Sequence, residues 1–175
     1  GYLAHLIPNN AVKNDPGTGI NHWHIDAATP WFPLPDDIER FHPTMRYPTF
    51  IVNGQFILSD LPSVEYGPTQ VVPGSHLSGR RPPDPNEGGQ FEGRGPHSIL
   101  CEAGDVYLQH PMAWHRGAPN ESQQRRYLLQ YNMGMRMMAQ RFYPFLNYNM
   151  PHYVLDGADE RLLRALGKHV KGPYG

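Results

Sequence analysis

Six consecutive residues, His22-Trp23-His24-Ile25-Asp26-Ala27, concentrate the chain's capacity for chemistry. Read as a strand, residues 22, 24 and 26 share one face, because strand side chains alternate with period two. An imidazole and a carboxylate two positions apart then converge on one cation without help from a loop. A hydrogen-bonded His–Asp pair on a wet sheet face has the same spacing, so the reading depends on a third ligand from another strand. His115 is the first candidate, because it follows the strand-like run Gly104-Asp105-Val106-Tyr107-Leu108 and stands between Trp114 and Gly117. His110, just before Pro111, is its rival. His76, after the Pro73-Gly74 turn, reads as a brace for that turn. His22 lies one strand repeat beyond His24, which suits a pocket position better than ligation.

Two imidazoles and one carboxylate leave an octahedral ion three open positions, the pattern of non-haem Fe(II) oxygenases that must take a cosubstrate and O2 together. A structural zinc site would instead be closed by four protein ligands. Mn(II) or Ni(II) in a cupin-type isomerase is the rival occupant. After His115 the turn Ala118–Gln123 sends the chain back as a strand from Arg125. One of Arg125 and Arg126 must then point into the roll. A buried guanidinium needs a counter-charge, and an incoming dicarboxylate supplies one through a bidentate fork. A surface position for both arginines is the alternative.

The elements that must hold these residues are short. The 175 residues suit one domain spanning 1–175. With 18 Gly and 19 Pro, the composition points to many short strands joined by turns. Strands are expected at Tyr2–Ile7, Asn21–Asp26, Thr49–Ser59 (with Gly54 at a bulge or a close backbone approach), Thr69–Val72, His97–Glu102, Asp105–His110, from Ala113 and over Arg125–Met133. Pro8–Gly19 reads as turns, and Asp36–Arg40 as one helical turn. Residues 79–96 form a long loop, read as a lid near the site mouth. Arg80 and Arg81 in it are a solvated pair or meet an anionic substrate. Met135–Tyr148 reads as core cover and, with the loop, as the region deciding the substrate. Trp31, Phe32, Phe91 and Trp114 are candidates for pocket lining. Asp156–Lys168 is the one convincing helix, started by Asp156 and ended by Gly167. The sum is an all-β double-sheet roll.

The formal net charge of -1 and the absence of a basic stripe exclude an electrostatic case for nucleic acid or a membrane surface. No run approaches a bilayer span and no leader pattern opens the chain, so a soluble, cytoplasmic protein is expected, monomeric or weakly homo-oligomeric, with a small-molecule substrate. The single cysteine, Cys101, excludes an internal disulfide.

Three blocks resemble the phytanoyl-CoA dioxygenase family of Fe(II)/2-oxoglutarate-dependent oxygenases: Trp23-His24-Ile25-Asp26; Leu58-Ser59-Asp60 through Glu65–Val72-Pro73-Gly74-Ser75-His76; and Ala103-Gly104-Asp105 through Trp114-His115-Arg116-Gly117 to Asn120, Ser122 and Arg126. They occur in the family's order over residues 21–138. The resemblance implies a double-stranded β-helix (jelly roll, cupin-like) with a short C-terminal helix. It implies that His24, Asp26 and His115 hold Fe(II), that Arg126 binds the distal carboxylate of 2-oxoglutarate, and that Thr69 helps to hold that cosubstrate. His22, Trp31 and Trp114 would face the substrate. Asp26 favours hydroxylation over halogenation, since halogenating relatives replace this carboxylate with a small residue. Two features depart from the pattern. Gly117 stands where some members have Ser, and only 23 residues precede His24, so a reduced N-terminal helical layer, or a chain lacking an N-terminal region, is expected. The implied activity is hydroxylation of an unactivated C–H bond with release of succinate and CO2. A non-catalytic jelly-roll binding module and a cupin-type isomerase are the alternatives.

Overall fold

The computed structural model describes residues 4–139 and 150–169. Two antiparallel sheets face each other. The larger takes β1 (Ala4–Asn14), β7 (Arg126–Met135), β2 (Ile51–Ile57) and β5 (Val106–Gln109), in that spatial order. The smaller takes β4 (His97–Ser98), β3 (Thr69–Val71) and β6 (His115–Gly117). Strands distant in sequence become neighbours, as in a jelly roll. Two apolar clusters form the core: Trp23, Ile25, Val72, Phe91, Met112 and Trp114 in one, and Ile57, Leu61 and Leu128 in the other.

β2 and β7 form where alternation is clean, and the register runs from Ile51↔Gly134 to Ile57↔Leu128 without a bulge. Gly54 is therefore a close approach rather than a bulge: a Cβ there would lie 3.1 Å from the Tyr131 carbonyl oxygen. β1 runs on through Pro8-Asn9-Asn10, where turns were expected. It is an edge strand, and its pairing with β7 shifts register between Leu6 and Asn9. Such a bulge on an edge accommodates a proline, whose missing N–H costs no ladder bond.

The motif segment is not a strand. His24 forms one isolated bridge with His115, and residues 15–50 contain no strand around it. Asp36–Arg40 likewise forms a tight turn, closed by the Ile38 N–H on the Pro35 carbonyl (3.1 Å), and not a helical turn. The helix expected over Asp156–Lys168 is shorter, α2 (Glu160–Ala165), and a separate turn of helix, α1 (His152–Leu155), precedes it. Gly157, at φ 80°, breaks the helical path between them. Asp159 rather than Asp156 caps α2, accepting the Leu162 N–H at 2.7 Å. Tyr2, Leu3 and residues 140–148 of the Met135–Tyr148 segment lie outside the described residues. Among the described residues no helix is long and apolar enough to cross a membrane.

Loop 79–96 is anchored rather than free-standing. Phe91 is buried against Trp114, with ring centroids 6.1 Å apart, and Gly88 rests on the Trp23 ring. Arg80 donates to the carbonyls of Pro35 (2.7 Å) and Ile38 (2.8 Å), and Arg81 to that of Ala28. Both guanidinium groups thus tie the segment after the motif to the loop. Arg81 is exposed and Arg80 partly so, as a surface pair would be, and both are also spent on backbone carbonyls.

Candidate metal centre and its cavity

The two halves of the site are joined through backbone. The His24 N–H donates to the His115 carbonyl (2.9 Å), and the His115 N–H returns the bond to His24 (3.0 Å). The Asp26 N–H donates to the Pro111 carbonyl (2.9 Å). The Val-Val-Pro-Gly-Ser-His block fixes the other side of β6. Val72 N–H donates to the Trp114 carbonyl (2.9 Å), and the buried Ser75 hydroxyl accepts the Trp114 N–H (2.8 Å). His115 is thus held from both edges of its strand.

Ligating atoms of His24, Asp26 and His115 lie within 4.8 Å of one another. Nε2 of His24 is 3.7 Å, and Nε2 of His115 3.4 Å, from Oδ1 of Asp26. Each imidazole is turned by its other nitrogen. Nδ1 of His24 donates to the His22 carbonyl (3.0 Å), and Nδ1 of His115 to the Ala113 carbonyl (2.8 Å). A carbonyl only accepts, so both Nδ1 atoms carry the proton and both Nε2 lone pairs face the shared space. Asn53 donates its amide to Oδ2 of Asp26, which leaves Oδ1 toward the histidines. A divalent transition ion fits this donor set. Outer partners of this kind set the tautomer and hold the ligands in place.

Protonation favours the same state. Burial, and then the neighbouring His115, hold His24 below the ordinary imidazole range. Burial pushes Asp26 upward, but in the metal-free site His115 and His24, when protonated, and the Asn53 amide outweigh it, so its carboxyl sits below the usual range. A neutral imidazole beside an ionised carboxylate is what a metal requires.

A cavity of about 130 Å³, the volume of about four waters, opens on this triad. His24, Asp26 and His115 line it together with Thr69, Arg126, Gln55 and Gln109. Arg126 is 5% exposed and Arg125 lies outside, bonded to Asp15 at 2.8 Å. The turn before them is locked by Asn120, which is 1% exposed and donates to the Gln124 carbonyl (2.7 Å) while accepting the Ser122 hydroxyl (2.7 Å). Nη2 of Arg126 donates to the Thr69 hydroxyl (3.1 Å), its Nε has no partner among the described residues, and burial lowers its proton affinity. A buried guanidinium without a carboxylate is a standing demand for an anion.

The remaining candidates fall elsewhere. Trp114 is in the core, with its indole N–H on the Arg80 carbonyl (2.8 Å). His22 is exposed, its ring 5.2 Å from that of His24. Trp31 packs against Phe50 and His110. His110 accepts the Met112 N–H on Nδ1, packs its ring against His76, and is not in the group whose ligating atoms converge. Asn53, Gln55 and Gln109 were not anticipated. Their signal was available: Ile51, Asn53, Gln55 and Ile57 share one parity, so two amides stand on the face that buries two isoleucines.

The phytanoyl-CoA dioxygenase family model matches residues 4–127. No curated protein matches the sequence. Among solved structures, the non-heme alpha ketoglutarate dependent epimerase SnoN from nogalamycin biosynthesis aligns with 21% identity and a TM-score of 0.55, over 90% of this chain and 57% of its own. AviO1 from Streptomyces viridochromogenes Tue57 aligns with 20% identity and a TM-score of 0.53, over 75% of this chain and 51% of its own. HygX from Streptomyces hygroscopicus, solved with nickel and 2-oxoglutarate bound, gives 14%, 0.52, 78% and 60% respectively. The chain thus spans little more than half the length of these proteins, and the likenesses establish the jelly-roll fold. The family match covers most of the sequence and includes the three candidate ligands and Arg126: the chain belongs to the phytanoyl-CoA dioxygenase family.

Proposed function

We propose that this chain is the catalytic roll of an Fe(II)- and 2-oxoglutarate-dependent oxygenase that attacks a C–H bond of a small organic substrate. One observation carries the reading: three metal-competent side chains and an unpaired buried arginine line the same small cavity. His24, Asp26 and His115 would hold the iron, which supplies O2 activation when bound. Arg126 and the Thr69 hydroxyl would take the distal carboxylate of 2-oxoglutarate, replacing the missing counter-charge. The two Nδ1–H bonds keep the imidazoles in the ligating tautomer, and Asn53 keeps Asp26 ionised and aimed. Trp23 and Trp114, next to the two histidines in sequence, are buried in one apolar cluster and anchor them. Hydroxylation is the proposed outcome. The solved neighbours also include an epimerase and a carbocyclase, and a roll of this kind supports those outcomes by placing a different substrate carbon at the same site.

The test is succinate formation. Protein loaded with Fe(II) and given 2-oxoglutarate, ascorbate and air is expected to release succinate slowly on its own and faster with a matched substrate. Asp26→Ala is expected to lose both metal and turnover. Iron-independent succinate release, or turnover that persists in Asp26→Ala, would overturn the assignment. A requirement for Mn(II) without O2 would favour a cupin-type isomerase.

A further inference from the structure

Beyond Arg126, three more buried polar side chains line the same cavity with an atom that has no hydrogen-bond partner among the described residues: Asn14, which stands opposite Arg126 on the sheet, and Gln55 and Gln109. Gln109 is 7% exposed and neither end of its amide forms a hydrogen bond. Gln55 is 4% exposed and its Oε1 is likewise unpartnered. Both line the cavity with the three candidate ligands. An unsatisfied buried amide lowers stability, so Gln55 and Gln109 are held in this small space against it. The register locates them. Gln109 stands directly opposite Asn53, whose amide holds Asp26, so it lies at the metal's level on the sheet. Gln55 follows Asn53 by two residues on the same face, one step toward Ile57, Leu128 and Arg126. The cavity therefore has a cationic end at Arg126 and, beside the triad, uncharged hydrogen-bonding amides.

We infer that Gln109, with Gln55 beside it, positions the 2-oxo acid end of the cosubstrate, the end opposite the Arg126–Thr69 grip. An amide presents either its N–H or its carbonyl to a ligand, and toward a carboxylate it presents N–H. Neutral donors suit this end. A second cation there would compete with the metal and add to the charge at Arg126, whereas an amide adds direction without charge. The inference rests on the oxygenase reading above and goes further, by naming which residues read the oxo-acid group.

The experiment is an anaerobic titration of 2-oxoglutarate into the Fe(II)-loaded protein, followed by the visible charge-transfer band of the chelate. In Gln109→Leu, half-saturation is expected to need about tenfold more 2-oxoglutarate, the loss of one hydrogen bond to a charged group. The band at saturation is expected to move in wavelength, because a donor to the chelating end has gone. In Arg126→Met the affinity falls but the band stays in place. Gln109→Leu and Gln55→Leu remove orphan amides in favour of near-isosteric apolar groups, so the metal-free Tm is expected to rise by roughly 3 °C. Iron affinity is expected to stay as in the unsubstituted protein. An unchanged half-saturation and band in both Gln variants would overturn the inference, as would a Tm that falls together with iron affinity, which assigns the amides to structure. Absence of any band in the unsubstituted, iron-loaded protein would instead sink the cosubstrate reading itself.

Discussion

Asn53 on β2 and Asp26 on the motif segment meet through a single side-chain hydrogen bond, the Asn53 amide donating to Oδ2. The bond divides the carboxylate's labour: Oδ2 is occupied, and Oδ1 is left to the histidines at 3.4 and 3.7 Å. Replacing Asn53 with Leu is expected to weaken Fe(II) or Ni(II) binding by about 10–100-fold, the usual cost of losing a ligand's outer partner. Metal titration of the folded variant measures it. Affinity within a factor of two of the parent would show that Asp26 is aimed by other contacts.

Arg126→Met separates stability from binding. Without ligand, the guanidinium is buried with only Thr69 as partner, so Met in its place is expected to raise the Tm of the ligand-free protein. With ligand, the same change removes the anion's counter-charge and is expected to lower 2-oxoglutarate affinity about 100-fold, ~3 kcal/mol. A calorimetric titration beside a thermal melt reads both. If Tm and affinity fell together, the arginine would be a structural residue.

Acid is expected to destabilise the metal-free protein through His110. Burial, with the charge of His76 beside it, holds this imidazole down to about 4, against an unfolded value near 6.5. Between those values the unfolded chain binds a proton that folded His110 does not. Its contribution to stability is therefore full above about pH 6.5 and is lost as pH falls toward 4. His24 and His76 shift in the same direction. Melts between pH 7.5 and 4 are expected to show a falling Tm, with a shallower slope in His110→Phe. Equal slopes would mean that His110 titrates normally.

Gly88 gives a handle on the loop. Its φ is 85°, and a Cβ there would sit 2.5 Å from the Trp23 ring, next to His24 in sequence. Gly88→Ala is expected to cost about 2–4 kcal/mol, from backbone strain plus overpacking, and to weaken metal binding as Trp23 moves. Gly17→Ala is the control, with φ 79° and nothing within 4 Å. It carries the strain without the collision, and equal losses in the two variants would clear the Trp23 contact of any role.

Sequence reached further into the site than into the elements that carry it. β2, β3 and β7 were legible because their inward residues alternate. His24, Asp26, His115, Thr69 and Arg126 could be named because their blocks are distinctive, and the fold brings all five to one cavity. The motif strand was misread because period two describes side-chain direction and not pairing: the segment forms a β-bridge at His24 alone, among the described residues, and no ladder. Pro8 disguised β1 because an edge bulge excuses a proline, which only topology reveals. Gly157 was passed over because Leu162, Leu163 and Leu166 gave the stretch an apolar face. Asn53, Gln55 and Gln109 were missed for a different reason. Polar residues on a core-facing parity look like errors in the pattern until the Asp26 carboxylate that Asn53 holds and the cavity that Gln55 and Gln109 line are known.

One consequence follows from the bareness of residues 15–50. Two of the three candidate ligands ride on a stretch that is tied to the sheets at the motif by a few backbone bonds: Trp23 to Pro85, His24 with His115, and Asp26 to Pro111. Burial of Trp23 and Ile25 adds to these bonds, and without a ladder the stretch opens against those alone rather than with a whole sheet. A metal ion gripped by His24, Asp26 and His115 is a clasp across that opening, and release of the ion and breathing of the segment become one event. The ion's residence time is then set by how often the stretch lifts from β6, and amide exchange at Trp23–Asp26 would keep the same clock.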